Sequence, residues 1–200
     1  MKGKGEHMEE QLYWLMNWPL IEGIEYTDID NPAELLGQKV TEHGILIQGF
    51  FPDATKVEVK HGNKRYEMKC MDEFGYYAVL VNGKKPISYK YVITYGDTVV
   101  ERYDAYAYKP VYDMKELKKF NAGISYEAYR YMGAHPMTID GVSGVQFLVW
   151  APFALRVSVV GDFNNWDGRA HQMSRIEDTG IFGIFVPEVK PGAIYKYEIK

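Results

Sequence analysis

The sequence holds one cysteine, Cys70, so no intrachain disulfide can form, and no Asn-x-Ser/Thr site occurs. Nothing marks a secretory history, and the expected location is the cytoplasm. Long apolar runs are missing as well. The stretch from Met1 to Gln11 carries charges without an apolar core, and nowhere does an apolar run approach the roughly 20 residues that cross a bilayer. Neither a signal peptide nor a membrane partner is expected. Basic charge is in deficit, 23 Lys and Arg against 27 Asp and Glu for a net −4. That leaves no surface for counterion release, which excludes nucleic acid as a partner.

Chemical signatures are equally sparse. His7, His43, His61, His135 and His171 make no pair at metal-ligand spacing with one another or with Cys70, so no metal is expected. His43 and His135, each shortly before a predicted strand, read as structural hydrogen-bonders. There is no Gly-x-Ser-x-Gly and no phosphate loop; Gly83-Lys84-Lys85 lacks the upstream glycine and the following hydroxyl. No cofactor is implied. The acids are scattered through turns, so no catalytic pair can be read from them. A complete (β/α)₈ barrel needs roughly 250 residues and does not fit in 200.

What is present leans towards β structure. Aromatic residues reach 15% with 17 Tyr, a residue that suits a half-buried pleated surface. A repeat at an offset of about one hundred residues organises the chain. Gly44 to Pro52 lines up with Gly144 to Pro152, and Lys56 to Val59 with Arg156 to Val159, both without gaps. Further on, Gly75 to Val81 matches Gly180 to Val186, and Tyr89 to Ile93 matches Tyr195 to Ile199. Each block reads as a short strand between Gly, Pro, Asn and Asp punctuation, which predicts two tandem immunoglobulin-like β-sandwich modules.

Short helix signatures precede each module. Asn31, Pro32 and Glu34 have N-cap, first-turn and capping-box spacing, and Gly37 can close the turn in the left-handed conformation. Ser125 to Met132 followed by Gly133 repeats that design. Asp113 with Glu116 predicts a capped charged helix in the connector, and Glu9 to Leu20 predicts an amphipathic helix on the first module. The expected division is therefore a helical extension over 1–30, a first sandwich over 31–109, a linker over 110–124 and a second sandwich over 125–200. After its Tyr-Lys-Tyr strand the first copy continues through Tyr95-Gly96-Asp97 to another strand, Thr98 to Tyr103, which has no counterpart in the second. The chain is accordingly expected to be part of something longer.

One segment invites a ligand: Gly161-Asp-Phe-Asn-Asn-Trp-Asp-Gly168. An indole face stacks on the apolar face of a pyranose, and adjacent amides match sugar hydroxyls as donors and acceptors. The residues equally permit Phe163 and Trp166 to pack inward while Asn164 and Asn165 build turns.

This segment, Val157 to Arg169 with His171 and Met173, resembles the glucan-binding module of bacterial glycogen branching enzymes, carbohydrate-binding module family 48. The likeness extends to Tyr131 to Pro136, Val149 to Pro152 and Tyr195 to Lys200. Asn31 to Gly37 and Val92 to Asp97 resemble the extra module in front of the longer bacterial branching enzymes. The resemblance implies a parent with a (β/α)₈ catalytic barrel as partner of these modules, holding the nucleophilic Asp and the acid/base Glu, so no catalytic residue is expected here. It implies α-glucan, glycogen or a linear maltooligosaccharide, as ligand, with Trp166 and Lys196 at the sugar and Asn164 and Asn165 beside them. A second stacking tryptophan of related modules has no equivalent, and the first module has Lys60 to Asn63 at the corresponding turn. The implied activity is transfer of α-1,4-glucan segments to make α-1,6 branches. A non-catalytic glycogen-binding scaffold is the alternative, and a debranching or maltooligosyl-trehalose hydrolase fits the front module less well.

Overall fold

The computed structural model describes residues 11–26 and 28–200; the charged residues 1–10, including the expected helix start at Glu9, lie outside them. The chain is all-β with short helices. Contacts divide it into two compact units: residues 11–26 with Leu35–Asp104, and residues 28–34 with Ala105–Lys200.

In the first unit the expected continuous helix is two pieces. Residues 11–14 are helical, and α1 (Trp18–Glu25) starts afresh where the Asn17 side chain accepts the Leu20 N–H and Pro19 occupies the first turn. Pro19 offers no N–H to an incoming helix, so the chain breaks there. Leu12, Met16, Ile21 and Ile24 are buried, whereas Trp14 is exposed. The strands are β1 (Gly37–Thr41), β2 (Gly44–Phe50), β3 (Lys56–His61), β4 (Lys64–Glu67), β5 (Lys69–Cys70), β6 (Tyr76–Val81), β7 (Lys90–Tyr95) and β8 (Thr98–Tyr103). They form two four-stranded antiparallel sheets, ordered β1-β2-β6-β5 and β4-β3-β7-β8. Alternation along β2 and β3 turns Ile45, Ile47, Val57 and Val59 inward, all fully buried, with Tyr76 and Ile93 beside them.

The second unit repeats the scheme with β9 (Gly133–Ile139), β10 (Val142–Trp150), β11 (Val157–Gly161), β12 (Gln172–Arg175), β13 (Ile181–Pro187) and β14 (Tyr195–Ile199). Their order is β14-β11-β12-β13-β10-β9. β12 joins the two halves, pairing with β11 through Gln172 and Met173 and with β13 through Ser174 and Arg175. Val145, Phe147, Val157, Val159, Met173, Phe182 and Ile184 make one core. Pairing registers carry the repeat into three dimensions: Val59 faces Tyr91 and Val57 faces Ile93, just as Val159 faces Tyr197 and Val157 faces Ile199. The punctuation repeats too. At Gly75 and Gly180 φ is positive, and a Cβ would stand 2.9 Å from the Cα of Pro52 or Pro152 respectively. Only glycine tolerates that approach.

Five strands, β1, β4, β5, β9 and β12, and one boundary differ from expectation. β1 and β9 were not expected, and His135 lies within β9, its Nε2 2.9 Å from the Met132 carbonyl. Their polar, half-exposed residues hide the alternation, and Pro136 is tolerated because β9 is an edge. Residues 28–34 and 105–124 pack with the second unit. Asp30 accepts the Arg175 guanidinium at 2.7 Å and the Ala33 N–H donates to Ser174 Oγ. The connector helix α2 (Met114–Asn121) is capped by Asp113 as predicted, and it buries Leu117 against Leu148, Ile176 and Ile181.

Candidate functional site

β11 delivers the chain into a tight loop through the hydrogen-bonding of one side chain. Asn164, in a 3₁₀ turn over Asp162–Asn164, is buried. Its Oδ1 accepts the Gly161 N–H at 2.9 Å, which fixes the amide orientation and turns Nδ2 towards the Val159 carbonyl and His171 Nδ1, both at 2.9 Å. Because Nδ2 can only donate, His171 Nδ1 accepts from it. Asn164, expected beside a sugar, therefore holds the loop from within and has no face left for ligand.

The two aromatic residues of the loop take opposite roles. Phe163 lies nearly parallel to Phe147, with ring centroids 6.2 Å apart, and also contacts His171. Trp166 stays out. Asn165 and Trp166 both adopt positive φ, 54° and 61°, which reverses the chain and swings the indole away from the core. Its backbone N–H donates to the Gly161 carbonyl at 3.0 Å and its Nε1–H to Asp162 Oδ1 at 3.0 Å. The indole edge is thus held while the residue remains 41% exposed. Such left-handed non-glycine pairs are strained and persist where the surroundings over-determine them. Asn165 is exposed next to it.

The far end of the loop is tied to β14. Arg156 is buried and reaches Ser158 Oγ, the Gly168 carbonyl and, at 2.5 Å, Glu198 Oε1. A Cβ on Gly168 would stand 2.4 Å from that carboxylate, so a side chain there requires the Glu198 side chain to shift. Asp167 clamps Arg169 through both carboxylate oxygens. Burial alone would raise the Asp167 carboxyl, but hydrogen bonds from the Arg169 side chain and backbone hold it below its ordinary value. Lys196 lies opposite Val160 and two residues before Glu198, hence on the β14 face over which the loop closes, and it is exposed. Trp166, Asn165 and Lys196 are the expected residues that this unit presents outward.

At the corresponding point of the first unit, Gly62 and Asn63 make a two-residue hairpin between β3 and β4, and no loop forms. Sequence reasoning also passed over Trp150, 52% exposed beside a cleft of about 550 Å³ with Phe120, Arg175 and Asp178. Its signal was its position, last in β10 and two residues beyond the last pair with β9. Among the described residues no group of three or more His, Cys, Asp or Glu is placed to hold a metal, and no helix is long and apolar enough to cross a membrane.

Comparison with known proteins adds family to geometry. The family model for carbohydrate-binding module 48 (isoamylase N-terminal domain) matches residues 131–200, and that for the N-terminal domain of the alpha-1,4-glucan branching enzyme GlgB matches residues 17–106. The 1,4-alpha-glucan branching enzyme GlgB of Saccharophagus degradans is 38% identical over 179 residues, covering 88% of this chain and 24% of the relative. The chain thus spans about a quarter of the length of that relative. Among solved structures, pullulanase type I from Bacillus subtilis, complexed with maltose, is 17% identical over 82% of this chain and 23% of its own, with a TM-score of 0.29. Pullulanase from Anoxybacillus, complexed with maltotetraose, is 19% identical over 82% and 22%, with a TM-score of 0.27.

Proposed function

This chain belongs to the 1,4-α-glucan branching enzymes through their N-terminal pair of modules, and from that premise we propose that its second module holds α-glucan for a branching reaction. The activity served is transfer of an α-1,4-linked glucan segment onto a 6-hydroxyl, carried out in the cytoplasm by a catalytic barrel that 200 residues cannot contain. These residues alone are inactive and contribute binding or placement.

What carries the reading is the Trp166 indole, fixed at one edge by Asp162 and open on its face. A rigid aromatic plane in water is a stacking surface for a pyranose, because each CH-rich sugar face removes apolar area from solvent at little cost in side-chain entropy. Asn165 supplies an adjacent amide, and Lys196 a cation able to donate to sugar hydroxyls. Asn164 is left out of this set, since its amide is fully engaged in the loop.

Electrophoresis through a gel containing glycogen tests the reading. Wild-type chain is expected to be retarded; Trp166→Ala should lose that retardation with its circular dichroism unchanged, while Trp150→Ala, at the other exposed indole, should keep it. Retardation that survives Trp166→Ala, or a wild-type mobility indifferent to glycogen, would contradict it.

A further inference from the structure

The end of the first unit that corresponds to the Trp166 loop of the second carries a different chemistry. There β3 turns into β4, and the segment 82–89 crosses from β6 in one sheet to β7 in the other. Residues 60–66 contribute Lys60, Lys64 and Arg65, and residues 82–90 contribute Lys84, Lys85 and Lys90. Neither stretch holds an acid, in a chain whose net charge is −4.

The crossing segment is pinned along its length. A Cβ on Gly83 would stand 2.6 Å from Ile45 Cδ1, so the chain lies directly on the core there. The Gln38 side chain donates to the Ile87 carbonyl and accepts the Ile87 N–H, both at 2.9 Å, and His61 Nδ1 lies 2.7 Å from the Ser88 carbonyl. Between these anchors Lys84 and Lys85 are exposed. Lys60 pairs with Glu101 at 2.7 Å and Arg65 with Glu58 at 3.3 Å, whereas among the described residues no ion pair takes up Lys64, Lys84 or Lys85. Glu101 registers the local field: the Lys60 hydrogen bond, helped by the charges of Lys60, Lys90 and Arg65, holds its carboxyl below the ordinary value.

We propose that this end of the first sandwich binds a phosphate dianion, free or esterified to a sugar, through Lys64, Lys84 and Lys85. Lysine meets phosphate as a compact point charge with three donors. Asn63 and Asn82, exposed in the same two stretches, offer amides suited to the hydroxyls of a sugar that carries the phosphate. No exposed large apolar side chain falls in either stretch. A protein partner would therefore lack the aromatic or aliphatic anchor around which such interfaces are built. Three uncompensated charges are also too few to hold a nucleic acid backbone. This inference is independent of any sugar at Trp166.

Backbone amide signals of Asn63, Lys64, Lys84 and Lys85 in a proton–nitrogen NMR spectrum test it. Sodium phosphate, glucose 6-phosphate or glucose is added at constant ionic strength and about pH 7.5, where a phosphate monoester carries close to two charges. Both phosphates should move these signals in a saturable way, and glucose should leave them in place. Tighter binding of the ester assigns the site to a sugar phosphate, and equal or weaker binding of it assigns the site to phosphate itself. Replacing Lys84 and Lys85 together by alanine should weaken phosphate binding about tenfold or more with the other signals unchanged, while replacing both by arginine should keep most of it. Signals indifferent to both phosphates, an affinity unchanged in the alanine double variant, or tighter binding of a polyglutamate peptide than of either phosphate would overturn the proposal.

Discussion

Asn164 and Asn165 are chemically identical neighbours with unrelated tasks. Asn164 satisfies the Gly161 N–H, the Val159 carbonyl and His171 inside the loop, whereas Asn165 stands outside in a left-handed conformation. Replacing Asn164 by alanine leaves a buried N–H and a buried carbonyl unpaired, a loss of roughly 2–4 kcal/mol. Asn165→Ala should stay within about 1 kcal/mol, its cost confined to the left-handed backbone. Urea denaturation of the two variants checks this, and a larger loss from Asn165 would refute the assignment. The motif was legible in the sequence as a place where something happens. Which of its aromatic rings faces inward was not, because that depends on Phe147 lying across the sandwich, a contact between residues far apart in the chain.

Repeated strands were legible wherever alternation was strong, as in the inward valines of β3 and β11. They were hidden where a strand lies half-exposed at an edge. β9 could have been found from Asp140-Gly141, both at positive φ, a hairpin dipeptide joining it to β10. Where α2 docks could not be read, since charged residues separate Met114, Leu117 and Phe120 and the partners of Leu117 lie on β10, β13 and the approach to β13. Helix α1 carries a pH dependence of its own. Burial, then hydrogen bonding and charge repulsion from Asp72, push the Glu25 carboxyl from its ordinary 4.5 up to about 8. The folded state therefore holds a proton that the unfolded chain releases at lower pH. Stability from this group is whole below pH 4.5 and falls as pH rises towards about 8, where the loss is complete. Melting temperatures between pH 5 and 9 should decline more steeply for wild type than for Glu25→Gln; parallel slopes would exclude the effect.

Across the whole molecule the same sandwich plan has been used twice to different ends. The first unit turns from β3 to β4 in two residues, leaving no loop to carry an indole. The second opens at the equivalent turn into a loop with a buried frame and an exposed indole. Function was legible in the sequence through that loop and the repeat, and the division of contacts was not, because residues 28–34 and 105–109 join the second unit through ion pairs and packing that composition does not reveal. The account expects residues 1–200 to leave amylose unbranched, and any rise in α-1,6 linkages over a heat-killed control would contradict it.

The central claim is that the loop divides into an inward scaffold and an outward glucan surface. The four tryptophans give four indole N–H signals in a proton–nitrogen NMR spectrum, and titration with maltoheptaose reads each of them at once. The account predicts that the Trp166 signal, identified by Trp166→Phe, moves in a saturable way while those of Trp14, Trp18 and Trp150 stay in place. A stationary Trp166 signal, or movement of Trp150 in its stead, would contradict it.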